Sequence, residues 1–267
     1  MNRALGWTKP EPHQLARCLR AGPEAGDSVL ADVEPAATSN LYAICRVLDQ
    51  GQLGSCTANA IVQAIRAARV RSGQVDPPFA SRLALYYWAR VQDGSQDRDV
   101  GTNIATVVDM AAWLGIPAEE CWPYDVSRFA QRPGPAAYRD GFDLRGDIGV
   151  QYHPISSSGA AFLLDMEKAL TAAYPVVFGV DVSEEFCSQQ PSGVIEPPGP
   201  GDKIAGGHAL VAIGHDNGER KVLVLNSWGP DWHDDDLHQG CCWFSYDYMA
   251  QSADRWIVPV APSPRMP

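Results

Sequence analysis

Three residues of this chain could supply a nucleophile, a base and an orienting group. The first is Cys56, in Asp49-Gln50-Gly51-Gln52-Leu53-Gly54-Ser55-Cys56-Thr57-Ala58-Asn59-Ala60. A glycine-bearing loop delivers it to the first turn of an expected helix, where unpaired N–H groups and the helix dipole favour negative charge. The thiolate is the effective nucleophile, and such a position lowers a cysteine pKa, more so beside an imidazolium. The same context also suits a buried cysteine packed in a core. The second residue is His208, at the start of the apolar run His208-Ala209-Leu210-Val211-Ala212-Ile213-Gly214. The third is Asn226, at the end of the following apolar run. Taken singly, a histidine at a strand edge is often structural and an asparagine at a strand end is often a turn residue. Together, Asn226 could accept from one ring nitrogen of His208 and leave the other for the thiol.

The elements that must position these groups follow from pattern. A helix is expected from Ser55 to about Arg71, with apolar residues at Ala58, Ile61, Ile65 and Ala68 and a stop at Ser72-Gly73. Further helices are expected over Ser81–Arg90, Ile104–Leu114 and Ala160–Ala173, with a short one near Gln14–Arg20. Strand-like runs occupy Pro175–Val182, His208–Gly214, Lys221–Leu225 and Cys241–Tyr246. Asp216-Asn217-Gly218 reads as a hairpin turn with positive φ at Asn and Gly, which sets His208 and Asn226 on neighbouring strands. A helical half followed by a β half makes an α+β protein of two lobes.

Bulk properties narrow the function. The chain has 267 residues and a formal net charge of -11 without a basic block, so neither nucleic acid nor an anionic membrane is expected as a partner. No apolar run approaches the ~18 residues that span a bilayer. Met1–Arg20 lacks the apolar core of a secretory signal, so the chain is expected to be cytoplasmic or exported without a cleavable signal peptide. The seven cysteines have no spacing that reads as a disulfide framework. Cys241 and Cys242 with His233 and His238 match no common zinc pattern, and no metal is expected.

The order Cys56, His208, Asn226 resembles the papain-like cysteine peptidases. Asn226-Ser227-Trp228-Gly229 matches the family's Asn-Ser-Trp-Gly run, in which the tryptophan shields the Asn–His bond. Gln50, six residues before Cys56, falls where the family keeps its oxyanion-hole glutamine; Gln52 is the rival donor. The Gln-Leu-Gly-Ser-Cys-Thr-Ala-Asn stretch resembles a bacterial-type branch. Gly101-Thr102 resembles the stretch where a substrate backbone pairs in the cleft, with Thr102 replacing a glycine. The resemblance implies a papain-like two-lobe fold, with the helical lobe (about 48–150) carrying Cys56 and a β-barrel-like lobe (about 151–260) carrying His208 and Asn226. Within it, residues 41–260 form the peptidase domain and 261–267 a disordered tail. It implies catalytic roles for Cys56, His208, Asn226 and Gln50, and substrate contacts at Gly101, Thr102, Gly207 and Trp228. Leu53 stands where secreted members keep a disulfide cysteine, and Thr57 replaces an aromatic residue.

The implied reaction is hydrolysis of a protein or peptide substrate through a Cys56 thioester, without metal or organic cofactor. Residues 1–40 read as an N-terminal arm. They either cross the cleft as a short propeptide-like segment or pack on the β lobe. Two other functions remain open: a Cys-His acyltransferase or amidase with a non-peptide substrate, and a catalytically silent binding protein on a peptidase scaffold.

Overall fold

A computed structural model describes residues 3–21, 27–147, 151–188, 193–232 and 238–259. The expected tail 261–267 and His233 lie outside these residues. Helices come first: α1 (Pro12–Ala21), α2 (Asp27–Leu30), α3 (Cys56–Arg71), α4 (Arg82–Gln92), α5 (Ile104–Leu114) and α6 (Pro135–Asp147). The short strand β1 (Thr38–Asn40) interrupts them. The second half holds β2 (His153–Pro154), α7 (Gly159–Thr171), β3 (Val176–Ser183), α8 (Glu184–Ser188), β4 (Val194–Ile195), β5 (Ile204–Asp216), β6 (Lys221–Leu225), β7 (Cys241–Ser245), α9 (Tyr246–Ala250) and β8 (Ala253–Ile257). Among the described residues, no helix is long and apolar enough to cross a membrane.

The helix carrying Cys56 is buried on every side from Cys56 to Arg69, so its polar side chains all need partners. Gln63 Oε1 accepts from Leu48 N at 3.0 Å. Asn59 Nδ2 donates to Ser55 O at 2.9 Å, and its Oδ1 accepts from Arg82 Nη1 at 2.8 Å. Arg69 donates to Pro78 O at 3.1 Å. Ser55, the residue before α3, makes no side-chain cap bond. Ser55 Oγ instead pairs with Tyr124 Oη at 2.6 Å and accepts from Asn59 Nδ2, so a side-chain network replaces capping at the start of α3.

The strands form one sheet in the order β2-β8-β3-β5-β6-β7-β4, with β1 also on β5. Its centre is the long β5, which faces β3 over most of its length and β6 at its end. Leu225 lies opposite Val211, so the chain leaving β6 runs toward His208. The hairpin forms with a different turn from the expected one. Asp216 pairs with Lys221, leaving four residues in the loop, and positive φ falls on Arg220 (50°) and not on Asn217-Gly218. Glu219 N donating to Asp216 Oδ1 at 3.0 Å closes that longer loop.

Several elements escaped the pattern reading, among them α6 and β8. The α6 sequence PAAYRDGFDLRGD has no sustained apolar stripe, and it is held by close tertiary packing, with Gly141 against Leu114 O and Pro117. Strand β8 carries Asp254 and Arg255 within five residues; its place is fixed by pairing with β3 and β2. In the N-terminal stretch, α1 reaches the helical half, where Gln14 Nε2 donates to Asp93 Oδ1 at 2.9 Å. Its far end, Thr38–Asn40, pairs with Gly214–Asp216.

A buried arginine ties the helical half to the loop that supports Cys56. Arg90, on α4, is fully buried. It donates to Gln96 O and Arg98 O at 2.9 Å each and to Phe129 O at 2.5 Å. Removing the guanidinium would strand three carbonyls, and hydrogen bonds to charged groups are worth more than neutral ones. Arg90→Met is therefore expected to lower unfolding stability by about 3 kcal/mol, read from urea denaturation. A loss below about 1 kcal/mol would mean that solvent satisfies those carbonyls at little cost.

Candidate active site

Cys56 opens α3 and is wholly buried. The backbone of Ala209, Gly6, Thr57 and Trp7 lies close enough to its sulfur to act on the thiol. Ala209 follows His208 in β5, so the thiol sits against the strand that carries the histidine.

The His208–Asn226 pair forms as the hairpin geometry requires. His208 Nε2 lies 2.8 Å from Asn226 Oδ1. The same Oδ1 accepts from Ser227 N at 2.7 Å. A backbone N–H can only donate, so the Asn226 atom at this junction is its oxygen, and Nε2 of His208 must carry the hydrogen. In the neutral ring the lone pair is then on Nδ1, which is buried and makes no hydrogen bond among the described residues. Trp228 stacks on the imidazole with centroids 4.5 Å apart. Phe186 and Trp232 pack against Trp228 in turn.

Gln50 is buried and Gln52 exposed, so of the two it is Gln50 that packs into the site. Ser227 Oγ donates to Gln50 Oε1 at 2.6 Å, and Gln50 Nε2 donates to Leu53 O at 2.9 Å. The amide group is thereby turned so that its N–H bonds face the loop before Cys56. Its second donor contact is to Ala4 O, at 3.1 Å. The loop itself is held from outside: Gly54 N donates to both oxygens of Asp99 at 3.1 Å, and Tyr86 Oη donates to the same carboxylate at 2.6 Å. Tyr86 Oη also accepts from Gly101 N at 3.1 Å, so one tyrosine braces both walls.

Between those walls lies the chain's own N-terminal segment. Gly6 N and Trp7 N donate to Gly207 O at 3.2 and 3.1 Å, Thr102 N donates to Gly6 O at 2.8 Å, and Thr8 N donates to Thr102 O at 3.0 Å. Trp7 and Thr102 form a parallel bridge. The fit has no spare room. A Cβ on Gly6 would come within 1.8 Å of Gly54 O, and one on Gly101 within 1.9 Å of Gly6 O. Arg3 Nη1 donates to Trp228 O at 3.3 Å.

Burial sets the electrostatics. It pushes the Cys56 thiol up to about 11, against the opposing pull of the neighbouring backbone of Ala209, Gly6, Thr57 and Trp7. It drives the His208 imidazole down to about 4, although the bond to Asn226 works the other way. Between pH 5 and 10 the resting pair is therefore thiol and neutral imidazole, because neither ion has water to solvate it.

The structure thus brings Cys56, His208, Asn226 and Gln50 into one cluster, with Gly101, Thr102 and Gly207 around it and Trp228 on the histidine. Sequence reasoning missed the braces Tyr86 and Asp99 and the partly buried Asp254, whose carboxylate accepts from Ile104 N and Trp7 Nε1. Tyr86 and Asp99 meet only through the fold. The five residues Ala253–Ile257, with an acid and a base side by side, give no local signal for Asp254.

Comparison with known proteins agrees with this geometry. The profile of the papain family cysteine proteases matches residues 35–240. An uncharacterised peptidase C1-like protein of Acanthamoeba polyphaga mimivirus is 32% identical over 220 residues, covering 79% of this chain and 68% of the viral one. Cathepsin B-like CP3 of Giardia intestinalis is 29% identical over 202 residues, covering 73% of this chain and 63% of its own length. The crystal structure of xylellain, a cysteine protease from Xylella fastidiosa, superposes with a TM-score of 0.76 at 25% identity, covering 97% of each chain. The chain belongs to the papain family of cysteine proteases, with that family's α+β fold, and is a thiol protease.

The buried thiol has a direct consequence. In the full-length protein, alkylation of Cys56 by iodoacetamide is expected to be slow from pH 6 to 9 and to climb only as the pH nears 11. Peptide mapping at each pH reads the rate. A rate at pH 6 equal to that at pH 9 would show a thiolate already present and contradict the neutral resting pair.

Proposed function

We propose that this protein is a cysteine endopeptidase that cleaves peptide bonds through a Cys56 thioester, and that its own N-terminal segment keeps it closed. The observation that carries the reading is the bond from Gln50 Nε2 to the Ala4 carbonyl. The glutamine amide already holds a peptide carbonyl beside the thiol, while Gly207 and Thr102 pair with the same stretch of backbone. A site that grips an extended main chain in this way favours a peptide substrate over the non-peptide acceptor of an acyltransferase or amidase. A silent binding scaffold would have no need for the Ser227 bond that aims the Gln50 amide.

In the reaction, the thiol proton passes to His208 Nδ1 and the sulfur attacks the substrate carbonyl carbon. The developing oxyanion is received by Gln50 Nε2 and the Cys56 backbone N–H, at about 3 kcal/mol per donor. His208 then protonates the leaving amine as the C–N bond breaks. Water, giving its proton to neutral His208, attacks the thioester and releases the acid with regeneration of the thiol. Asn226 keeps the ring turned so that Nδ1 stays with the sulfur throughout.

Closure follows from the same contacts. With Gly6 and Trp7 over the sulfur, no substrate carbonyl reaches it, and the dry site suppresses the thiolate–imidazolium pair on which attack depends. Departure of the segment admits water, which brings the thiol pKa down and the imidazole pKa up.

Turnover of a fluorogenic peptide tests the catalytic part. Cys56→Ala is expected to abolish it, Gln50→Ala to lower kcat about 100-fold, and Asn226→Ala to reduce it strongly while leaving residual activity. Undiminished hydrolysis by Cys56→Ala protein would end the proposal. The closure is tested by Gly6→Ala in the full chain. Its methyl cannot fit against Gly54, so the segment should be expelled, with activity and pH 7 alkylation both rising at least tenfold. No gain in either would show that the segment does not restrain the enzyme.

A further inference from the structure

The two groups assigned to the oxyanion, the Gln50 amide and the Cys56 backbone N–H, are separated by a loop that contains Gly51 and Gly54. Within it the turn bond from Leu53 N to Gln50 O is long, at 3.4 Å, and Gly51 sits at a positive φ of 61°. A glycine-bearing stretch of this kind has many backbone states, so the spacing of the two donors must be imposed from outside it. Ser227 fixes one side of Gln50: its carbonyl accepts from Gln50 N at 2.8 Å and its hydroxyl donates to Gln50 Oε1. Those contacts relate the glutamine to Asn226 and the histidine, and leave its distance from Cys56 open.

One atom reaches both ends of that loop. Tyr124 Oη, from the segment between α5 and α6, lies 2.9 Å from Gln50 O and 2.6 Å from Ser55 Oγ. Gln50 and Ser55 are both wholly buried. A carbonyl oxygen only accepts and a phenol has one hydrogen, so Tyr124 donates to Gln50 O and the Ser55 hydroxyl donates to Tyr124. Ser55 Oγ then accepts from Asn59 Nδ2 at 2.9 Å, and Asn59 Oδ1 accepts from Arg82 Nη1 at 2.8 Å. All four bonds run one way, from the guanidinium to the Gln50 carbonyl, and each strengthens the next. The same guanidinium lies 3.8 Å from the centre of the Tyr124 ring, and Tyr124 N donates to Glu119 Oε1 at 3.0 Å. The phenol is thereby held at ring, backbone and hydroxyl. Burial raises its pKa, with Ser55 and Arg82 pulling the other way, so it keeps the proton that it donates.

We propose that Tyr124 is a positioning residue for the reaction: its hydroxyl sets the distance between the two oxyanion donors by tying Gln50 to the residue before Cys56, and Asn59 and Arg82 hold that hydroxyl in place. Ser227 registers the glutamine to the histidine, and Tyr124 registers it to the cysteine. The oxyanion role of Gln50 rests on the reading above; the tie serves any acyl group, whether or not it comes from a peptide.

The test compares two reactions of Cys56 in full-length protein carrying Gly6→Ala. Acylation by 4-nitrophenyl acetate builds negative charge on the carbonyl oxygen, and is read as the burst of 4-nitrophenolate against a Cys56→Ala blank. Alkylation by iodoacetamide sends the charge to iodide, and is read by peptide mapping; it needs the thiol and its base but no oxyanion donor. Tyr124→Phe keeps the ring beneath Arg82 and is expected to slow acylation about tenfold while alkylation stays within about twofold. On top of Gln50→Ala the same substitution should cost less than about threefold, because a single remaining donor has no spacing to keep. Ser55→Ala cuts the tie at its other end and should reproduce the selective loss, which decides the matter even if Tyr124→Phe does not fold. Unchanged acylation, an equal fall in both reactions, or an undiminished loss on top of Gln50→Ala overturns the proposal. The expected selective loss in a protein whose Gly6→Ala parent hydrolyses no peptide would leave the Tyr124 assignment standing and remove the peptidase reading instead.

Discussion

The site depends on one hydrogen bond kept away from water, that between His208 Nε2 and Asn226 Oδ1. It joins two neighbouring strands, and its direction is fixed because the Ser227 amide occupies the same oxygen. An exposed neutral bond of this kind would exchange freely with solvent and be worth little. Here Trp228 covers it, and Trp232 and Phe186 cover Trp228. The aromatic packing therefore has a chemical result: one tautomer, one ring orientation, and a lone pair on the nitrogen that faces away from Asn226.

Water exclusion that steadies the histidine also disfavours the ions that catalysis uses. With the N-terminal segment seated, Cys56 and His208 are both wholly buried and both neutral near pH 7. Burial by protein core and burial by a displaceable segment act on the same groups through the same desolvation. Under the closure proposed above, displacement of Ala4–Thr8 would relieve the second without unfolding.

Close approach is the second constraint. Gly6 meets Gly54 and Gly101, and the Trp7 ring meets Gly179 and Gly207, at distances that leave no room for a methyl group. These glycines come from five separate parts of the chain, and each is required by a neighbour far away in sequence. The supports behind them are also distant in sequence: Arg90 anchors the 96–98 loop, Asp99 at its end holds Gly54, and Tyr86 spans from Asp99 to Gly101.

The sequence alone carried the class of fold and the local signals of the candidate site. Cys56 after a glycine loop, His208 and Asn226 on consecutive apolar runs, and the Asn-Ser-Trp-Gly stretch are local signals, and helix and strand periodicity is local too. The expected helix at Ile104–Leu114 and the strand Lys221–Leu225 have the bounds read from the pattern. Tertiary structure decided what depends on distant partners. The choice of Gln50 over Gln52 rests on burial and on Ser227, 177 residues away. The turn at 217–220 took its form from the β5–β6 register and not from its Asn-Gly pair. Helix α6, without a clear apolar stripe, needed Pro117 and Leu114 to hold it. Asp254 finds its partners only because β8 pairs with β3, which brings its carboxylate to the start of α5 and to the indole of Trp7. Residue type and spacing specify which groups can react; packing specifies whether water, a substrate or the chain's own first residues reach them.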